Sequence, residues 1–482
     1  MTGLKSIVKI AAFLLILSLL LYGINGVLQP KYNYSNNIWP TTSTYRSFYT
    51  MDRNSVDVLF IGSSFCVNGF SPQEIYNQYG IRSYNLGSEQ QSLFLSYYWL
   101  KEALAYQSPS VVVLEGRFLQ ALFPEGVVNT TEGLIRKCLD PMRISKVKLQ
   151  AVNDLCAQDE RQIKASWFLT NIRFHDRWKD LKEVDFDDGL NVYAPLKGWA
   201  PGDAGPLYGY EPLADAEDGA YKDLDYGSIQ YFGRIAELCR ERGITLLLVN
   251  IPNSISSGLY HAYQELAAEY GVDYIELGEE NTWREMGIEM PRENPCIHGN
   301  IWGNIKVSRY IGRLLQEKYG VPAVQDPQYE ETRAFYDHVV AAQRLKEIED
   351  PAEYLALLQD DQFDVFLTVT AEAAASLSDA AKEQLRALGL RQTWEGAGNG
   401  WDKYTAVITD EGIREETGSD IWVTGRFRSR NNTYDLKSFG SGESTYSVLT
   451  LDDQEYSFDP QGLAVLVYDT VTRTLVGNAT FR

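Results

Sequence analysis

The run VDVLFIGSSFCVNG, residues 56–69, joins a continuous apolar stretch to a Gly-Ser-Ser turn and a second apolar stretch. A β-branched and aliphatic run without polar alternation suits a strand buried on both faces, the situation of a parallel sheet covered by helices. The pattern recurs in SYNLG at Ser83–Gly87, VVVLEG at Val111–Gly116, ITLLLVNIP at Ile244–Pro252 and VDYIEL at Val272–Leu277. Helical patterns separate these runs: one from Pro72, one over Ser92–Gln107, then YFGRIAELCRERG and HAYQELAAEYG. Alternating strand and helix predicts an α/β fold with a parallel sheet and helices on both faces. A long aromatic-rich insertion, 118–226, interrupts the alternation and is expected to cover the sheet's rim.

Upstream, Ile10 to Leu28 is nineteen residues without a charge, about 28 Å as a helix and close to the hydrocarbon thickness of a bilayer. Lys5 and Lys9 precede it and no small-residue cleavage site follows, which predicts a retained signal-anchor over 1–30 with a cytoplasmic N-terminus. The chain is thus expected to be single-pass in the cytoplasmic membrane, with a stem at 31–53 and an extracytoplasmic body. Of 482 residues 44 are Lys or Arg and 65 Asp or Glu, a net charge of −21. That acidity argues against a nucleic-acid partner, and five scattered cysteines give no disulfide framework. After a helical pattern ending at Gly320-Val321-Pro322, residues 326–482 carry a net −14 and a different texture, with late alternating strands. We expect the first globular domain over 54–325, a linker at 326–344, and a separate α+β or β-rich domain at 345–482.

Ser64 follows the first strand, where open α/β sheets expose functional groups beyond the strands' carboxyl ends. Gly62 permits a tight turn, and the Ser64 N–H would face a developing oxyanion. Ser63 and Cys66 are the neighbouring nucleophile candidates. A serine needs a proton acceptor, and four histidines exist: His175, His261, His298 and His338. His298, on a loop before the last helix of the domain, is the candidate base; His175 reads as packed or substrate-contacting, and His261 lies on an amphipathic helix. Cys296-x-His298 is not spaced as a zinc pair, GSGES at Gly440 lacks the phosphate-loop lysine, and Asp452-Asp453 reads as a solvated turn. We expect no metal and no organic cofactor.

In order, GSSF with Ser64, YNLG with Gly87, VVVLEG as third block and CIHGNIWG with His298 resemble the SGNH/GDSL hydrolase superfamily, over Val56 to Tyr319. The membrane-anchored branch that includes the D-alanine transfer proteins is the most similar, since His298, Asn300, Gly303, Lys306 and Ser308 match H-x-N-x-x-G-x-x-K-x-[ST]. The resemblance implies a flavodoxin-like sheet, Ser64 as nucleophile, His298 as base, and the Ser64 and Gly87 amides as oxyanion donors. It implies an acyl esterase or O-acyltransferase acting on a cell-envelope polysaccharide or teichoic-type polymer, with an envelope-assembly protein as a further partner. Two departures stand out. Pro295 occupies the position of the acid three residues before His298, with Glu293 and Asn294 nearby, and Glu115 stands near the usual third-block asparagine. A Ser-His dyad, Glu293 in the acid's role, and a catalytically inactive scaffold or glycan-binding descendant all remain open.

The stretches beginning YLALLQDDQFDVFLTVT and YDLKSFGSGESTYSVLTLDD resemble the interleukin-like epithelial–mesenchymal transition inducer domain, over Leu345 to Arg482. Some such domains bind glycans, which makes Trp401 and Tyr404 candidates for stacking on sugar faces.

Overall fold

The computed structural model describes residues 2–30, 41–181, 183–186, 193–210, 213, 224–252, 257–392, 402–427, 432–439, 446–451, 454–459 and 462–482. It divides into two compact units, Met1–Arg333 and Ala334–Arg482. In the first, strands β1 (Val58–Ile61), β2 (Ser83–Asn85), β3 (Val111–Glu115), β4 (Thr245–Asn250) and β5 (Asp273–Glu276) form a parallel sheet in the order β2-β1-β3-β4-β5. Every pairing is parallel, with Phe60 opposite Asn85 on one side and Val113 on the other. All five expected strands are present, shortened by a residue or more at their ends.

Alternate residues of each strand enter different cores. Leu59, Ile61, Val112, Leu114 and Leu248 pack with Trp99 and Phe232 from the helices Leu93–Ala103 and Tyr226–Arg242. Val58, Phe60, Val113 and Val249 pack with Ile75, Ile311 and Leu315 from Pro72–Tyr79 and Ile301–Glu317. Two covered faces are why these strands show no polar alternation. The insertion adds to the first core: Ile135, Leu139 and Leu155 of its helices Glu132–Leu139 and Lys146–Gln158 are buried there, as is Trp167.

The chain opens with a helix, Thr2–Leu28. Its segment Ser6–Leu28, 23 residues of mean hydropathy 2.5, is long and apolar enough to cross a membrane.

The second unit holds two antiparallel sheets. One contains β6 (Phe363–Thr370), β7 (Lys403–Thr409), β8 (Gly412–Gly418), β13 (Leu463–Asp469) and β14 (Thr474–Phe481), in the order β14-β13-β6-β7-β8. The other contains β9 (Ile421–Phe427), β10 (Asn432–Phe439), β11 (Tyr446–Leu451) and β12 (Gln454–Ser457), in the order β12-β11-β10-β9. Phe366, Val407 and Leu466 pack against Val423, Leu436 and Leu449 between the sheets, while Val365, Leu367 and Val465 meet helix residues Leu355 and Leu385 on the opposite face. Two expectations change. Tyr404 is fully buried, its hydroxyl donating to Glu415 at 2.9 Å, so it offers no sugar-stacking face. Trp401, the GSGES run and Asp452-Asp453 lie outside the described residues. The span 326–344, expected as a linker, is helical at Pro327–Glu330 and Arg333–Gln343.

That second helix buries Tyr336, Val339 and Ala342, and its His338 pairs with fully buried Asp469 at 2.9 Å. A fragment starting at 334 should therefore unfold cooperatively. One starting at 345 discards those apolar side chains and the imidazole paired with Asp469, whose carboxylate keeps the Val471 and Thr472 amides and the Thr472 hydroxyl as donors. It should lose about 3 kcal/mol or more, read by urea titration of the two fragments.

Candidate active site

The turn after β1 is held by β3. Glu115 Oε2 accepts from Ser63 Oγ at 2.5 Å and from Ser63 N–H at 2.9 Å, while Oε1 accepts from the Arg117 amide at 2.6 Å. Glu115 is buried. Burial pushes its pKa up, and the donors from Ser63 and Arg117 oppose the rise. At Gly62 a Cβ would lie 2.5 Å from the Glu115 Cβ, so this approach needs glycine. Glu115 thus builds the turn rather than offering an oxyanion donor. Ser63 then caps the helix Ser64–Gly69, its Oγ accepting from Phe65 N–H at 3.3 Å.

Ser64 heads that helix, and its Oγ lies 2.8 Å from His298 Nε2, across 234 residues of sequence. Among the described residues the Ser64 amide has no protein acceptor. The Gly87 amide, expected as the second oxyanion donor, donates instead to Asn85 Oδ1 at 3.0 Å. Buried Asn85 also donates through Nδ2 to the carbonyls of Cys66 and Phe70, at 2.7 and 2.9 Å, and so fixes the Ser64 helix on β2. Cys66 is buried and donates to the same Oδ1; burial, then the Glu115 charge, raises its pKa well above the thiol range. It stays a protonated thiol.

The His298 loop is wound by asparagines. Asn294 Oδ1 accepts from the Cys296 amide at 3.1 Å, Asn294 O from the Asn300 amide at 2.7 Å, and Asn300 Oδ1 from the Asn294 and Gly303 amides at 3.1 and 3.0 Å. Asn300 thereby caps Ile301–Glu317. Glu293 is turned away from an acid's role: Oε2 accepts from the Glu289 amide at 2.7 Å and pairs with Lys306 at 3.4 Å. Ser308 accepts from the Ser71 amide at 2.8 Å, so the matched lysine and serine hold the fold together. His298 has φ +52°, a left-handed conformation for a side-chain-bearing residue, which turns the ring toward Ser64. Its ring meets Phe65 edge-on at 5.2 Å.

The insertion supplies the remaining wall. Asp203 bridges Asn300, and at Gly202 a Cβ would lie 1.7 Å from the Gly299 carbonyl oxygen. Although His298 is exposed overall, its ring lies against Phe65, and this partial desolvation lowers its pKa below 6.5, with the carboxylates of Glu89 and Asp203 opposing the drop. At neutral pH the imidazole is therefore largely an uncharged base. Asn85, Glu89, Gly202 and Asp203 were not singled out from the sequence. Only the Gly-Asp pair in APLKGWAPGD gave a local signal, and nothing there pointed to the distant histidine.

His175 is exposed rather than packed, His261 lies on the helix Ser257–Tyr270, and His338 belongs to the second unit. No protein-family model matches the chain, and no curated protein matches it.

A left-handed residue with a Cβ costs about 1–2 kcal/mol relative to glycine. His298→Gly should accordingly raise the stability of the first unit by about 1 kcal/mol over His298→Ala. Both variants lose the imidazole, so thermal melts of the pair isolate the backbone strain.

Proposed function

We propose that this protein is a membrane-anchored SGNH-type acyl esterase or O-acyltransferase acting on an acylated polysaccharide or teichoic-type polymer of the cell envelope. The observation that carries the reading is the 2.8 Å contact between Ser64 Oγ and His298 Nε2 at the carboxyl end of a parallel sheet. Nε2 is the nitrogen that faces the hydroxyl in serine hydrolases. In this mechanism Ser64 Oγ attacks the acyl carbonyl as His298 takes its proton, and the Ser64 amide donates to the oxyanion. The imidazolium returns the proton to the departing sugar oxygen, leaving an acyl-serine. Water or an acceptor hydroxyl, deprotonated by His298, then releases the acyl group. With Pro295 in the acid's position, Asp203 and Glu89 are the carboxylates whose charge stabilises the imidazolium. The solvent-facing position of His298 suits a polymer substrate that cannot enter a closed cavity.

A second reading, a glycan-binding protein on a decayed hydrolase fold, is favoured by two observations. The Gly87 amide is occupied by Asn85, and Trp422 on β9 is 65% exposed with Nε1 donating to Asp435 at 2.8 Å. A fluorophosphonate probe separates the readings: labelling at Ser64 that His298→Ala abolishes supports the enzyme, and an unreactive Ser64 overturns it.

With an acyl ester that turns over, Ser64→Ala and His298→Ala should each remove most activity, and the double variant should be little worse, because members of a catalytic unit are non-additive. The acid limb of kcat/KM should fall below pH 6.5, since activity is lost as His298 gains its proton. Asp203→Asn removes a charge that favours that proton, so it should move the limb to lower pH and reduce kcat. An unmoved limb would remove Asp203 from the mechanism.

A further inference from the structure

The N-terminal helix is exposed through Ile24, and its contacts with the body begin at the next residue. Asn25 Oδ1 accepts from Thr170 Oγ1 and the Asn171 amide, at 2.9 and 3.0 Å, and the Leu28 carbonyl accepts from Arg177 at 2.8 Å. All three donors belong to the insertion. Ser6 to Ile24 spans about 28 Å, so a bilayer's hydrocarbon is used up where the insertion takes hold. The insertion elements packed on the helix are Asn171–Phe174, His175–Lys179 and Glu183–Phe186. Each displays one large apolar side chain to solvent: Ile172 at 42%, Trp178 at 65% and Phe186 at 69% exposure. Three large exposed apolar side chains within fifteen residues, all on elements packed against the end of the apolar helix, give this face an apolar character.

Residues 171–186 hold four basic and four acidic residues, a balanced stretch in a chain whose net charge is −21. The Lys179 ammonium lies 5.7 Å from the Trp178 ring centre. Tryptophan beside lysine and arginine is the composition that settles at headgroup depth, the ring at the acyl boundary and the cations among phosphates.

We propose that this face of the insertion rests in the headgroup layer of the bilayer that the N-terminal helix crosses, with Ile172, Trp178 and Phe186 dipping toward the acyl chains. The proposal rests on reading that helix as a membrane span; it is independent of the catalytic assignment. The occupant is lipid, because the patch begins where the chain's own apolar helix ends. Held there, the insertion fixes the height and tilt of the first unit, where a lone helix would leave it free to swing.

The test uses the full chain in nanodiscs of phosphatidylcholine and phosphatidylglycerol. Four of the five cysteines are buried, so Cys156→Ser removes the partly exposed one. Trp178→Cys or Phe186→Cys is then labelled with an environment-sensitive fluorophore, with Tyr22→Cys on the helix and Arg240→Cys, 79% exposed, as references. Phospholipids brominated near the headgroup should quench labels at 178 and 186 as they quench 22, and leave 240 unchanged. Adding Ile172→Glu should weaken quenching at 186. Quenching at 22 with none at 178 or 186 overturns the docking and leaves the anchor standing; absence at all positions overturns both.

Discussion

A buried carboxylate must find donors in the protein, and Glu115 finds them in the turn that precedes Ser64. Stripping an anion of water costs several kcal/mol unless fixed hydrogen bonds replace the solvent. Here Ser63 contributes an amide and a hydroxyl, and Arg117 an amide. The contact lies where chain order in the sheet reverses, between β1 and β3, so it ties the two halves of the sheet together. With Ser63 immobilised, the first turn of the helix has its cap and Ser64 has one direction. Glu115 is therefore the residue that fixes the turn carrying Ser64.

The insertion joins parts that the sheet alone leaves separate. Its Lys197 carbonyl accepts from the Asn85 amide at 3.0 Å, and the Ala200 amide donates to Val67 O at 3.1 Å, so the same stretch of chain touches β2 and the Ser64 helix. A few residues on, Gly202 and Asp203 reach the histidine loop. Some thirty residues upstream it grips the end of the N-terminal helix. Lys197 itself is buried, its ammonium against the Tyr329 ring at 4.3 Å, and burial brings its pKa down to about 7. Its Nζ donates to Thr332 Oγ1, Gln73 Oε1 and the Pro195 carbonyl at 2.5, 3.3 and 3.4 Å, and these bonds anchor the segment.

Much of this was legible in the sequence. Strands of the first sheet have two covered faces, so each is a plain apolar run, and the Ser64 turn and the Asn300 cap are local signals. β8 escaped notice because it is an edge strand whose residues are mostly exposed, and GIREETG reads as a polar loop. The helix Arg333–Gln343 was hidden by the acidic texture around it. The Gly87 donor was lost to a local contact that the apolar pattern does not announce: the side chain two residues earlier turns back and occupies the amide. Asp203 could not be found by spacing, because what brings it to His298 is a backbone approach between two glycines that lie nearly a hundred residues apart.

His298 is exposed, and on the proposed reading that openness would set the fate of an acyl group on Ser64. An ester at an uncovered rim is met by water continually, whereas an acceptor sugar must arrive and be held. The partition between hydrolysis and transfer is then decided by residence time: an acceptor that lingers beside the rim competes with solvent, and one that leaves quickly yields free acid. Raising acceptor concentration should divert flux from acid to transferred product without altering the rate at which the first product departs. Under the proposed function, the choice between hydrolysis and transfer would lie in how an acceptor is retained, with the serine and histidine unchanged.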